Sequence, residues 1–162
     1  YLHILEGKPL YPVFYDANRQ VLSLPPIINS DSTKISMQTK NIFIDMTGTD
    51  LRKIQICLAI LAGQFSQHCQ GDSQFTIEQV SVEYEDKTMI TPQLDYQHFE
   101  VEVSKINRTL GLDLKVDVVR ECIEKMGSVV ISGNDEYLTV EIPPTRSDIM
   151  HPCDIAEDVG IA

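Results

Sequence analysis

The sequence predicts an α+β protein of two units: a mixed-strand unit over residues 1–91, then a small winged-helix-like unit over residues 92–162. Three observations carry this reading. Short apolar runs with period-two character dominate the first half and enclose a single long helical pattern. Two short helical runs closed by glycines stand before a hairpin signal in the second half. Between the halves, Pro92 and the polar "QLDYQ" mark a boundary. A chain of 162 residues with 43% hydrophobic content can supply a real core to such units.

Taken in order, "YPVFYDANRQVLSL" (residues 11–24) reads as two strands around Asp16, Ala17 and Asn18, which interrupt two apolar runs. "PPIINSDSTK" reads as a loop with a rigid start, because Pro25 and Pro26 cannot donate to a ladder and Asn29, Ser30, Asp31 and Ser32 favour turns. "NIFIDM" (41–46) reads as a strand that places Asp45 on the same face as Phe43. Thr49 or Asp50 can cap a helix over 51–69, whose Leu51, Ile54, Leu58, Leu61 and Phe65 recur at spacings of three and four. "FTIEQVSVEYE" and "TMITP" return to strands around the "EDK" turn.

In the second unit, "HFEVEV" is a strand. Ser104 can cap a helix closed by Gly111, and Asp117 can open one closed by Gly127. "SVVISGNDEYLTVEIP" is a hairpin signal turning at Gly133, Asn134 and Asp135. A last helix starts near Pro152, a residue suited to the first helical turn.

Charge narrows the function classes. With 24 acidic against 13 basic residues the formal charge is −11, which repels phosphate backbones and anionic lipid. The run "VDVVRECIEKMG" sets Arg120 and Lys125 against Asp117, Glu121 and Glu124, a poor groove reader, so DNA binding is not expected. The longest apolar-rich stretch, 54–65, is too short to cross a bilayer, and a soluble, cytoplasmic protein is expected. Cys57, Cys69, Cys122 and Cys153 lack CxxC spacing and read as reduced thiols, with Cys57 and Cys122 buried.

Two constellations stand out. Asp148, Asp154, Glu157 and Asp158 crowd the start of the last helix, the latter three at i, i+3 and i+4. They read either as a solvated acidic face partly favoured by the helix dipole, or as half of a hard-cation site completed by water or a partner chain. His151 and Cys153 alone make a weak soft-metal pair. Asp45, followed by Thr47 and Thr49, either binds a polar group on a ligand or caps its own loop. No nucleophile–base set is evident, since His3, His68, His98 and His151 are scattered.

The segments "VLSLPPIINSD", "NIFIDMTGTDL" and "EIPPTRSDIMHPCDIAEDVGIA" resemble, in this order and spacing, the β subunit of phenylalanyl-tRNA synthetase of the cytosolic eukaryotic and archaeal type. The resemblance covers essentially the whole chain and implies an internal piece, cut at Ala162 before an aromatic-glycine signature. It implies that residues 1–91 are the C-terminal part of a tRNA-editing domain with a mixed sheet, and that 92–162 form the small domain after it. The complete α2β2 enzyme of this family activates phenylalanine with ATP and charges tRNA(Phe). Aminoacylation belongs to its α subunit, so this piece is not expected to aminoacylate but to serve editing and assembly, with few tRNA contacts.

Editing is needed because an apolar pocket rejects an added hydroxyl by only about a hundredfold. The resemblance assigns reading of the tyrosine hydroxyl to Asp45, with Thr47 beside it, at a position where many members carry Glu. It also implies a Mg²⁺ site shared with the α subunit at Asp148, Asp154, Glu157 and Asp158, empty without that partner. The alternative reading is a noncatalytic interaction module built on the winged-helix-like unit.

Overall fold

The first strands form around a turn that one side chain closes: the Asp16 carboxylate accepts from the backbone N–H groups of Asn18 (2.9 Å) and Gln20 (2.8 Å). The computed structural model describes residues 1–162, with every side chain except that of Ser73. Internal packing divides the chain into Tyr1–Asp50 and Leu51–Ala162, ahead of the junction expected near residue 92.

In the first unit β1 (Phe14–Tyr15), β2 (Val21–Leu24) and β3 (Ile28–Asn29) form an antiparallel sheet in the order β1-β2-β3. The loop expected after β2 therefore contains a short strand of its own, paired Ser23 to Asn29 and Leu24 to Ile28. The expected strand "NIFIDM" is not one: residues 41–46 are extended but join no ladder, and Ile42 and Phe43 are exposed. A strand needs a hydrogen-bonding neighbour, and none lies beside this segment among the described residues.

The second unit opens with α1 (Leu51–Ser66), which stops short of the expected Cys69. Its buried side is also not the predicted leucine stripe. Ala59, Ala62 and Ser66 are buried, whereas Leu51 and Phe65 are exposed. Small residues win here because the approach is close: a Cβ on Gly63 would lie 2.9 Å from the Thr145 methyl. The hairpin of β4 (Val80–Glu83) and β5 (Thr88–Thr91) follows, in register from Val80 with Thr91 to Glu83 with Thr88.

The remainder builds one core. β6 (Gln97–Glu102), β7 (Val129–Gly133) and β8 (Tyr137–Ile142) form an antiparallel sheet in the order β6-β8-β7. Packed with it are α2 (Val103–Leu110), α3 (Val116–Lys125) and α4 (Pro152–Ile161). Val101, Leu138, Val140 and Ile142 from the sheet meet Ile106, Val119, Ile123, Ile149, Ile155 and Val159, all nearly solvent-free. This is the α+β, winged-helix-like arrangement expected, though Ser104 does not cap α2. Its N-cap is Glu102, which makes no side-chain bond to the helix N–H groups, and the Ser104 hydroxyl donates to the Glu102 carboxylate instead. The α2–α3 turn is held by Asn107, whose amide donates to the Leu114 carbonyl and accepts from its N–H, both at 2.9 Å.

The β7–β8 turn makes one demand on sequence. Gly133 has φ +152°, and a Cβ there would lie 2.5 Å from the Tyr137 carbonyl oxygen. Gly133→Ala is expected to cost about 2 kcal/mol in urea unfolding, since both torsion and contact are unfavourable for an L side chain. A loss below about 0.5 kcal/mol would show that the turn relaxes instead.

Candidate functional site

Asp45 reaches its position through the first sheet. β2 buries Ser23, and the Ser23 hydroxyl donates to Asp45 Oδ2 at 2.7 Å. The carboxylate is thus half-buried and fixed through one oxygen, while Oδ1 accepts from no other group among the described residues. Asp45 and Thr47 line one open cleft of about 400 Å³ with Pro25, Pro26, Ile27, Ile28 and Asn29. A neighbouring hollow of about 300 Å³ shares Asn29 and Asp45 and is walled by Leu22, Ile42 and Phe43. Asp45 thus stands between a mostly polar cleft that includes Thr47 and a hollow with apolar walls, a setting that can bind a part-apolar group bearing a hydrogen-bond donor. Ser23 went unread in the sequence, where its one signal is a polar residue inside the apolar strand "VLSL".

The acidic residues of the second unit behave differently. Asp154 sits in the first turn of α4 and closes a capping box, accepting from the N–H groups of Met150 (2.9 Å) and His151 (2.8 Å), while His151 Nδ1 accepts from the Cys153 N–H. These backbone bonds, Met150 first, hold its carboxyl below the usual range. Asp148 and Asp158 both turn to Arg146. The Arg146 Nη2 lies 2.7 Å from Asp148 Oδ2 and 2.9 Å from Asp158 Oδ2, and its Nη1 donates to the Met126 carbonyl at 2.6 Å. The Arg146 hydrogen bonds lower the Asp148 carboxyl, and those to Asp148 and Asp158 raise the guanidinium further above its ordinary value. Glu157 is exposed.

These residues do not fit a divalent ion as they stand. Magnesium demands several oxygens in near-octahedral geometry, yet the Asp148, Asp154 and Asp158 carboxylates are already bonded elsewhere. Among the described residues, no group of three or more His, Cys, Asp or Glu side chains is placed to hold a metal ion. The soft-metal pair gains no third ligand among the described residues, and within it His151 Nδ1 accepts the cap bond while the Cys153 thiol donates to Asp154. Desolvation and that bond push the thiol up. All four cysteines are free, but Cys57 is exposed rather than buried, because it lies off the small-residue side of α1, and Cys122 is only partly buried. No described helix is long and apolar enough to cross a membrane.

The depressed carboxyls give an acid limb. A group whose folded pKa lies below its unfolded value contributes stability that is present above the unfolded value and lost as pH falls through the folded one. For Asp148 and Asp154 that window opens at the ordinary value of 3.8 and extends downward. The thermal midpoint is expected to fall between about pH 4 and about pH 2, with a flatter limb in Asp154→Asn. Superimposable limbs would remove Asp154 from this role.

Residues 99–162 match the tRNA synthetase B5 domain family. Along its whole length the chain is similar to the phenylalanine–tRNA ligase β subunit of Mus musculus, at 46% identity over 28% of that protein. The β subunit of Arabidopsis thaliana, named cytoplasmic, is 44% identical, with 100% of this chain and 28% of that protein covered. Among solved structures, an N-terminal fragment of the phenylalanyl-tRNA synthetase β-subunit from Pyrococcus horikoshii superposes with a TM-score of 0.85 at 36% identity, covering 98% of this chain and 44% of that one. The chain spans under a third of the length of the curated relatives it matches.

Proposed function

The chain belongs to the phenylalanine–tRNA ligase β-subunit family, a component of an aminoacyl-tRNA synthetase, and we propose that its first unit contributes a cleft for hydrolytic editing of mischarged tyrosyl-tRNA(Phe). The supporting observation is the Asp45 carboxylate, held by Ser23 through Oδ2 and lining both an open, mostly polar cleft and the neighbouring hollow walled by Leu22, Ile42 and Phe43. A tyrosine side chain needs such a place: an apolar slot for the ring and an acceptor for the phenolic proton. Phenylalanine satisfies the slot but leaves a half-buried carboxylate without its partner, so the cleft favours the wrong amino acid over the right one. Thr47 offers a second polar contact at the cleft wall.

The reaction is attack of water on the ester that joins tyrosine to the tRNA, releasing tyrosine and the free tRNA hydroxyl. Asp45 binds in this scheme and takes no proton from the water. No catalytic residue is assigned among residues 1–162. Phenylalanine activation with ATP falls to the α subunit in this reading. The B5 domain serves docking to that subunit, and the net charge of −11 leaves few tRNA contacts to this segment. A Mg²⁺ ion shared with the α subunit would compete with Arg146 for Asp148 and Asp158, and no step of the hydrolysis is routed through it. A cytoplasmic location for the complete ligase accords with the name of the Arabidopsis relative.

A second reading, docking without catalysis, draws on edge strand β7, where Val129 and Ile131 each leave about half of their surface exposed (51% and 50%). One experiment separates the two. In the complete α–β ligase carrying this segment, deacylation of tyrosyl-tRNA(Phe) is compared between wild type and Asp45→Ala. Selective loss of deacylation with phenylalanylation intact supports the editing cleft; unchanged deacylation clears Asp45 and moves the hydroxyl contact to another residue, and a wild type that assembles but does not deacylate leaves the docking reading.

A further inference from the structure

Arg146 is where the acidic segment converges. Its Nε donates to both Asp148 oxygens (3.0 and 3.1 Å), its Nη2 to Asp148 Oδ2 and to both Asp158 oxygens, and its Nη1 to the Met126 carbonyl just beyond the end of α3. All three guanidinium nitrogens are in use. The two carboxylates are unequal, with 10% of the Asp158 side chain exposed against 63% for Asp148.

We infer that Arg146 is the resident cation of this segment: it holds the ground between Asp148 and Asp158, so the chain fixes α4 without a divalent ion, and such an ion gains Asp158 only by displacing the guanidinium. The charge arithmetic points the same way. A magnesium ion at about 2.1 Å from a carboxylate oxygen would stand beside a guanidinium already bonded to that carboxylate, adding like-charge repulsion in a poorly solvated place. Nor can a hydrated ion reproduce the planar fork that reaches the Met126 carbonyl and both carboxylates together. The inference rests on this geometry alone and is independent of the editing reading.

The test is calorimetric unfolding of the full 162-residue chain with MgCl2 or CaCl2 against NaCl of equal ionic strength. For the wild type, the midpoint is expected to move no further with either divalent salt than with NaCl. Arg146→Met is expected to melt lower and to recover part of the loss with a divalent ion, a recovery abolished by adding Asp148→Asn. A divalent-specific rise in the wild type overturns the inference, as does a folded Arg146→Met that ignores divalent ions. If Arg146→Met does not fold, Mn²⁺ binding followed by electron paramagnetic resonance on the wild type decides: none below roughly millimolar concentration is expected, and tighter binding overturns it.

Discussion

Asp158→Ala is expected to lower the unfolding free energy by about 3 kcal/mol, the low end of what removing one partner of a buried ion pair costs. The figure follows from what is left behind. Arg146 keeps its bond to Asp148, but that carboxylate is mostly in water and attracts weakly, while the Nη2 side that faced Asp158 stays in a site only partly open to solvent. Asp148→Ala removes just as many formal charges, yet it should cost less than about 1 kcal/mol, as exposed pairs do. Denaturant unfolding of the two variants measures the difference. If Asp148→Ala proves as damaging as Asp158→Ala, burial is not what gives the pair its weight. α4 carries Ile155, Ala156 and Val159 into the core, so loosening its anchor is felt through the whole sheet-and-helix unit.

The elements legible in the sequence were those written in local signals. The start of α4 follows from Pro152 and the β7–β8 turn from "GNDE", where the Asn134 side chain accepts from the N–H groups of Glu136 and Tyr137. What depended on distant partners was not legible. Residues 41–46 have strand composition but no ladder neighbour, and α1 turns Ala59 and Ala62 inward because another part of its unit comes too close for leucine. The acidic segment shows the same limit at a site. Spacing places Asp154, Glu157 and Asp158 on one face, yet the three side chains do different things. Asp154 caps the helix, Glu157 faces solvent and Asp158 anchors Arg146. The signal for the last is Arg146 itself, which lies in "PPTRSDI" ahead of the carboxylates, where spacing alone does not mark it as their counterion. Asp45 was legible as an odd carboxylate beside an aromatic, but its fixed orientation was not, because Ser23 is brought to it only by the fold.

That orientation sets a graded expectation for editing in the complete ligase. A hydrogen bond to a charged acceptor contributes about 1.5–3 kcal/mol, so Asp45→Ala should slow deacylation of tyrosyl-tRNA(Phe) roughly ten- to a hundredfold in kcat/KM. Asp45→Asn keeps the size of the side chain and an acceptor oxygen while losing the charge, and its loss should fall short of that, at about tenfold or less. The background hydrolysis of phenylalanyl-tRNA should not fall in either variant, since that substrate has no phenolic proton to give. Selectivity for the mischarged tRNA should therefore collapse in the order Asp, Asn, Ala, with phenylalanylation unchanged. Equal slowing of both substrates would point to a cleft that has lost its shape, and Asp45 would then be a structural partner of Ser23 rather than the reader of the hydroxyl.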